Sequence, residues 1–166
     1  TDPSEIKTVY DVAHNIAKVE EHVIDGELKK VFVHRKGATR SLPADDPHIP
    51  EVYRAVGQPV IIPGSMGTSS YVLVGTKEAM ESSFGSTAHG AGRVMSRSAA
   101  IRQFKGEDVK RDLEKNNIYI KSASWKGISE EAPEVYKDID EVVRISHEAG
   151  IGNLVVKVKP IGVIKG

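Results

Sequence analysis

Two β-rich runs, residues 8–24 and 27–34, meet at Asp25-Gly26, and no other local feature constrains the fold as strongly. Glycine takes up positive φ without steric cost, so Asp-Gly between two extended runs predicts a tight hairpin. Val19, Val23, Leu28, Val31 and Val33 lie on its strands. The polar pair His14-Asn15 interrupts the first run and predicts a bend or bulge between two strand pieces. Beyond the hairpin, Gly37, Pro43, Pro47 and Pro50 predict a long loop over residues 35–50.

Residues 58–62 read as a short apolar strand, residues 63–70 as a small-residue loop, and residues 71–74 as the next strand. Helical patterns follow at 76–83, 91–104, 107–116 and 134–149. The third has charges at i, i+4 spacing (Asp108–Asp112, Lys110–Glu114), so only part of its surface is core. The fourth ends at Gly150, a natural C-cap. Residues 154–159 form the closing strand, with a tail from Ile161 to Gly166. Strands and helices cluster without strict alternation. That pattern predicts an α+β fold, with mixed and antiparallel β-sheets and packed helices, in a single domain over residues 1–166.

Composition narrows the partners. Lys+Arg and Asp+Glu both number 23, so no global field draws the chain to nucleic acid or membrane, and any polyanion site must be a local cluster. There is no cysteine, hence no disulfide framework and no thiolate metal ligand from this chain. No apolar run approaches the ~20 residues that span a bilayer, and no signal-peptide pattern opens the chain. A soluble, cytoplasmic protein is expected. The opening Thr1-Asp2-Pro3-Ser4 lacks a methionine and fits processing, design or truncation of a longer chain.

Two glycine-rich loops, 64–70 and 85–93, could wrap phosphate oxygens with amides and hydroxyls. Neither is a Walker loop, since no Gly-Lys-Ser/Thr follows at the required spacing, and neither fits a dinucleotide fingerprint in a βαβ unit. His89 stands among small residues in the second loop, just ahead of a helix expected to begin near Ala91. That helix would aim free amides and a partial positive charge at a ligand, and the same field would keep the imidazole neutral. His89 is thus either a nucleophile beside a phosphate site or a structural histidine in a turn. Arg93 and Arg97, four apart on the same helix, would share a face that binds a phosphate or is merely solvated. His34, Arg35, Lys36 and Arg40 form a basic loop cluster. A metal role for His14, and an ordered position for Lys165, are open on spacing alone.

Together these pieces resemble the RtcB-type RNA-splicing ligases along the whole chain. The run Gly85-Ser86-Thr87-Ala88-His89-Gly90-Ala91-Gly92-Arg93 is the most specific element. Support comes from residues 10–15, from His34-Arg35-Lys36-Gly37-Ala38, from residues 63–71 and from the terminal Ile164-Lys165-Gly166. The resemblance implies a GTP- and Mn²⁺-dependent ligase that joins RNA 3′-phosphate or 2′,3′-cyclic-phosphate ends to 5′-hydroxyl ends, as in tRNA splicing and RNA repair. His89 would become guanylylated, and a cyclic phosphate would first be hydrolysed. By the same resemblance His14 is a manganese ligand, and Lys36, Arg93 and Arg97 hold RNA phosphates. Gly64, Ser65, Met66, Gly67, Ser70, Ala91, Gly92, Tyr136 and Lys165 contact the guanylate.

The likeness is to the C-terminal third of such a ligase, without the N-terminal metal-binding portion. These 166 residues alone are therefore expected to bind Mn²⁺ poorly and not to ligate. Implied partners are tRNA exon halves or broken RNA, the N-terminal portion of the ligase, and the activating protein archease. Competing readings are a phosphohistidine phosphotransferase and a noncatalytic nucleotide- or RNA-binding module. Label from α- or γ-labelled GTP separates the two enzymes, and steep salt dependence without an adduct marks the module.

Overall fold

The computed structural model describes residues 2–165; Thr1 and Gly166, the outermost positions of the terminal stretches read above, lie outside the described residues. In chain order the strands are β1 (Asn15–Ile24), β2 (Glu27–Lys36), β3 (Ala38–Arg40), β4 (Pro59–Ile62), β5 (Ser70–Gly75), β6 (Ser86–Ala88), β7 (Tyr119–Ser122), β8 (Gly152–Val158) and β9 (Gly162–Lys165). The α-helices are α1 (Glu51–Arg54), α2 (Lys77–Ser83), α3 (Arg97–Gln103), α4 (Gly106–Lys115), α5 (Trp125–Glu130) and α6 (Ile139–Glu148). Strands pair as β1-β2, β3-β6, β4-β5-β8 and β7-β9. The first two pairs are antiparallel and β7-β9 is parallel; the fold is α+β, as expected, with antiparallel sheets and one parallel pair among these. No helix among the described residues is long and apolar enough to cross a membrane.

The chain divides into two compact units. One comprises residues 1–60, 73–89 and 149–153, and the other residues 61–72, 90–148 and 154–166. In the first, the hairpin forms as predicted, with Ile24 opposite Glu27 and both turn residues, Asp25 and Gly26, at positive φ (+54° and +79°). Its burial does not follow hydrophobicity alone, since Val33 is buried on the same face as His22 and Arg35 while other apolar side chains face outward. His22 and Arg35 are buried on one face, whereas Val19, Val23, Leu28 and Phe32 are exposed on the other. The strand begins only at Asn15, because the bend at His14 leaves residues 8–13 without regular structure. Nor is 35–50 a continuous loop. The second strand runs to Lys36, and Gly37, at φ +65°, turns the chain directly into β3, which pairs with β6. Helix α2 is capped by the Thr76 hydroxyl, which accepts the Ala79 amide. It ends on two left-handed residues, Phe84 and Gly85.

The second unit is built on a core of Met66, Ala100, Val109, Leu113, Ile118, Ile120, Ile128, Ala132 and Val135. Val109 and Leu113 bring one face of α4 into it, while Lys110–Glu114 and Lys115–Asp112 pair on the outer face. The helix expected over 91–104 is only Arg97–Gln103, capped by Ser96. Gly92, at φ +78°, and an antiparallel bridge between Arg93 and Tyr136 hold the preceding residues out of helix. The helix expected over 134–149 starts at Ile139, because Pro133 opens a short 3₁₀ turn, Pro133–Val135, and Tyr136 is extended after it. Gly150 follows α6 at φ +70°, the C-cap conformation expected. Strand β7 and helix α5 had no clear pattern in the sequence, and the terminal tail is a strand on β7, with Ser122 opposite Lys165.

Candidate functional site

In the first unit, backbone hydrogen bonds converge on Gly37. Its amide donates to the His14 carbonyl at 2.9 Å, and its carbonyl accepts the His89 amide at 3.3 Å. Ala38 opposite Ala88 continues the β3-β6 ladder beside it. The result is a stack of two imidazoles, His14 on His89, with centroids 3.8 Å apart and planes 7° from parallel. His14 is exposed and His89 half-buried. Burial, and then the neighbouring His14, hold His89 below the usual imidazole value, which favours the neutral ring with a free lone pair. Neutrality was expected from a helix starting near Ala91. No helix starts there, so the cause is burial and a neighbouring ring.

Arg35 does not belong to a basic loop cluster. It lies on β2, 3 % exposed, with Nη1 and Nη2 donating to the two Glu20 oxygens at 2.7 and 2.9 Å. Its Nε donates to Ser86 Oγ at 2.8 Å and Nη2 also to the Phe84 carbonyl at 2.6 Å. The bonds to Ser86 and Phe84 brace the segment that leads into β6 and His89, while the pair with Glu20 ties β2 to β1. Lys36 and His34 remain exposed on the other face of the strand.

In the second unit the two glycine-rich stretches meet. The Ala91 amide donates to the Pro63 carbonyl at 3.2 Å, so it is not a free donor at a helix end. Loop 64–70 closes on its own hydroxyls: the Ser65 amide donates to Thr68 Oγ1 at 2.7 Å, and the Gly67 amide to Ser65 Oγ at 3.4 Å. Gly64 is obligatory there, since a Cβ would lie 2.2 Å from the Ser69 carbonyl oxygen and 2.4 Å from Thr68 Oγ1. Gly64→Ala should cost about 1–3 kcal/mol through forced backbone displacement, measured by denaturant unfolding. A change within error would mean the loop relaxes freely.

Beside this loop lies a cavity of about 180 Å³ lined by Pro63, Gly64, Ser65, Met66, Ser70, Glu131, Tyr136, Val163 and Lys165. Glu131 is the hub of its charged wall. The Tyr136 hydroxyl donates to Glu131 Oε2, Lys165 Nζ lies 3.4 Å from the same oxygen, and Arg93 Nη1 donates to Oε1 at 3.1 Å. Arg97 Nε approaches Oε1 at 3.8 Å. Arg93 also donates to the Met95 carbonyl at 3.0 Å and the Glu130 carbonyl at 2.5 Å, and its guanidinium lies 5.1 Å from the Tyr136 ring centroid. Burial pushes the Glu131 carboxyl up, but the Tyr136 hydroxyl, Lys165 and Arg93 outweigh it and hold the group below its ordinary 4.5. A carboxylate depressed by folding contributes stability above pH 4.5 and loses it as pH falls below that value. Wild type and Glu131→Gln should therefore converge in unfolding free energy on acidification, and a constant gap would show that Glu131 is not ionically coupled.

Six of the nine guanylate residues expected from sequence, Gly64, Ser65, Met66, Ser70, Tyr136 and Lys165, line this one cavity. Gly67 lines a different cavity, of about 310 Å³, with Phe104, Asp112 and Leu113. Ala91 is buried, and Gly92 is exposed with its carbonyl accepting the Lys137 amide at 2.9 Å. Arg93 and Arg97 converge on Glu131 without sharing a helix face, because Arg93 precedes α3. His14, Lys36 and His89 fall within the first unit. Glu131 itself was not singled out from sequence. The signal available was an acidic residue closing α5, five positions before Tyr136. Among the described residues no group of three or more His, Cys, Asp or Glu could hold a metal ion.

The family model described as tRNA-splicing ligase RtcB matches residues 1–166. A protein named tRNA-splicing ligase RtcB from Thermococcus kodakarensis is 57% identical over 162 residues, covering 98% of this chain and 34% of the relative. Similarly named proteins from Archaeoglobus fulgidus and Pyrococcus furiosus are 57% and 58% identical over 161 residues, covering 97% of this chain in both cases and 33% and 17% of those relatives. The chain thus spans about a third or less of the length of these relatives. A match along its whole length at this identity leaves one conclusion: the chain belongs to the tRNA-splicing ligase RtcB family.

Proposed function

We propose that this chain carries the nucleophile and most of the guanylate cavity of a GTP-dependent RNA ligase. Such an enzyme joins 3′-phosphate or 2′,3′-cyclic-phosphate ends to 5′-hydroxyl ends, as in tRNA splicing and RNA repair. The observation that supports it best is the second-unit cavity, which gathers residues from positions 63 to 165 that the family likeness associates with guanylate. A ring nitrogen of His89 attacks the α-phosphorus of GTP. A P–N bond forms, the α–β P–O bond breaks, and pyrophosphate leaves. An oxygen of the RNA 3′-phosphate then attacks that phosphorus, breaking the P–N bond and returning its electron pair to the imidazole. Finally the 5′-hydroxyl attacks the RNA 3′-phosphorus, losing its proton and expelling GMP. Ser65, Ser70, Tyr136 and Lys165 orient the guanylate, and Lys36, Arg93 and Arg97 face RNA phosphates.

Manganese would neutralise phosphate charge. The described residues do not by themselves fit such a centre, since no three ligating groups cluster, and no step here runs through it. His14 is proposed as one ligand of a centre completed by further portions of the ligase. The test replaces the matching 162 residues of the Thermococcus kodakarensis relative by this chain. α-Labelled GTP should leave acid-labile label on His89 and γ-labelled GTP none. Label from the γ-position alone would make the protein a phosphotransferase, and no label with salt-sensitive RNA binding a noncatalytic module.

A further inference from the structure

The wall of the second-unit cavity contains one carboxylate facing three cations. Glu131, with 17 % of its side chain exposed, meets Arg93 at 3.1 Å, Lys165 at 3.4 Å and Arg97 at 3.8 Å, and also accepts the Tyr136 hydroxyl. Counting these four charged groups leaves a local excess of two positive charges in a protein whose formal net charge is zero. Without the carboxylate, three cations would converge with no negative side chain among them, and Lys165 and Arg97 would lose their ion-pair partner. Like charges held this close repel, and long flexible side chains respond by swinging apart.

The division of Glu131 between its two oxygens is informative. Oε2 takes Tyr136 and Lys165, which both line the cavity, and Oε1 takes Arg93 and Arg97, which do not. Its backbone is anchored where α5 ends: the Glu131 amide donates to the Ile128 carbonyl at 3.3 Å, next to the fully buried Ala132. Lys165 is carried by β9, and the Ala123 amide donates to its carbonyl at 3.1 Å. The carboxylate therefore sits on a fixed point of the fold, while the lysine needs a partner to choose one rotamer among many.

We infer that Glu131 is the positioning residue of the nucleotide cavity, holding Lys165 and Tyr136 with one oxygen and the phosphate-facing arginines with the other. This rests on the proposed reading of the cavity as a guanylate site. Glu131 acts through Lys165 and is not itself offered as a ligand of the nucleotide. Its contribution is to lower the number of side-chain arrangements that must be frozen when the nucleotide enters.

The experiment uses the same chimera and follows adduct formation against GTP concentration for wild type, Glu131→Gln, Glu131→Asp, Lys165→Ala and the Glu131→Gln/Lys165→Ala double variant. Loss of one charged hydrogen bond predicts a KM for GTP raised about tenfold in Glu131→Gln, with kcat changed much less, and partial recovery in Glu131→Asp. In the double variant the two losses should combine to well below their sum, because on the nucleotide side the carboxylate then has only Tyr136 left to position. Additive losses, or a lowered melting temperature with KM unchanged, would overturn the inference. If wild type forms no adduct, the proposed function fails separately. Calorimetry with GMP then decides the positioning role, and equal affinity of wild type and Glu131→Gln, or no binding by either, defeats it.

Discussion

If His89 is the proposed nucleophile, replacing it by alanine in the chimera should abolish the covalent guanylate and lower RNA joining on the order of 10⁴-fold or more, the scale on which loss of an attacking group operates. The fold should survive. The bonds that place this residue are made by its backbone, whose amide donates to the Gly37 carbonyl, and by the adjacent β3-β6 ladder. Alanine keeps both. What disappears is the ring stacked on His14, worth about 0.5–1.5 kcal/mol for an aromatic pair, so the melting temperature should move by only a few degrees. Intact-mass spectrometry after GTP and manganese reads the adduct directly. If the alanine variant acquires GMP in undiminished yield, the attacking nitrogen lies elsewhere and the assignment of His89 falls.

The largest effect on stability should come from Arg35→Ala. Removing a guanidinium with 1 % side-chain exposure leaves the Glu20 carboxylate, itself 13 % exposed, with only His22 at 3.0 Å as a partner. Breaking one side of such a buried pair costs about 3–5 kcal/mol, because the remaining charge is stranded away from water. The Phe84 carbonyl and the Ser86 hydroxyl lose a donor in the same substitution. Chemical denaturation of the 166-residue chain measures the loss. Replacing Glu20 and Arg35 together by apolar residues should be milder than Arg35→Ala alone, since no isolated charge remains. A loss below about 1 kcal/mol for Arg35→Ala would mean that water reaches the pair. Function should suffer too, because Arg35 braces the turn from which β6 delivers His89.

Local chemistry was legible wherever a few consecutive residues decide it. Asp25-Gly26 announced the hairpin, Gly150 the end of α6, and the charged ridge of α4 its solvent face. The glycine-rich runs marked the stretches that build the cavity and lead to His89, and the family likeness named six of the residues that line that cavity. What misled was periodicity read across a break. Residues 91–96 have helix-compatible composition, but Gly92 at positive φ and the Arg93–Tyr136 bridge, a pairing 43 positions long, hold them out of helix. Tyr136 left the expected helix for the same reason.

Which face of the hairpin is buried could not be read from hydrophobicity, since the face carrying Val19, Val23, Leu28 and Phe32 is exposed and the one carrying Glu20, His22 and Arg35 is withdrawn. Polar groups tolerate burial only when partners meet them, and those partners, Ser86 and Phe84 for Arg35, come from distant sequence. Glu131 was invisible for a related reason. An acidic residue at a helix end is common, and its importance lies in three cations that converge on it from residues 93, 97 and 165. The order of residues along the chain settles turns, caps and chemical types, because those depend on neighbours a few bonds away. Charge pairing and ring stacking depend on approach through space, and only the folded chain sets that.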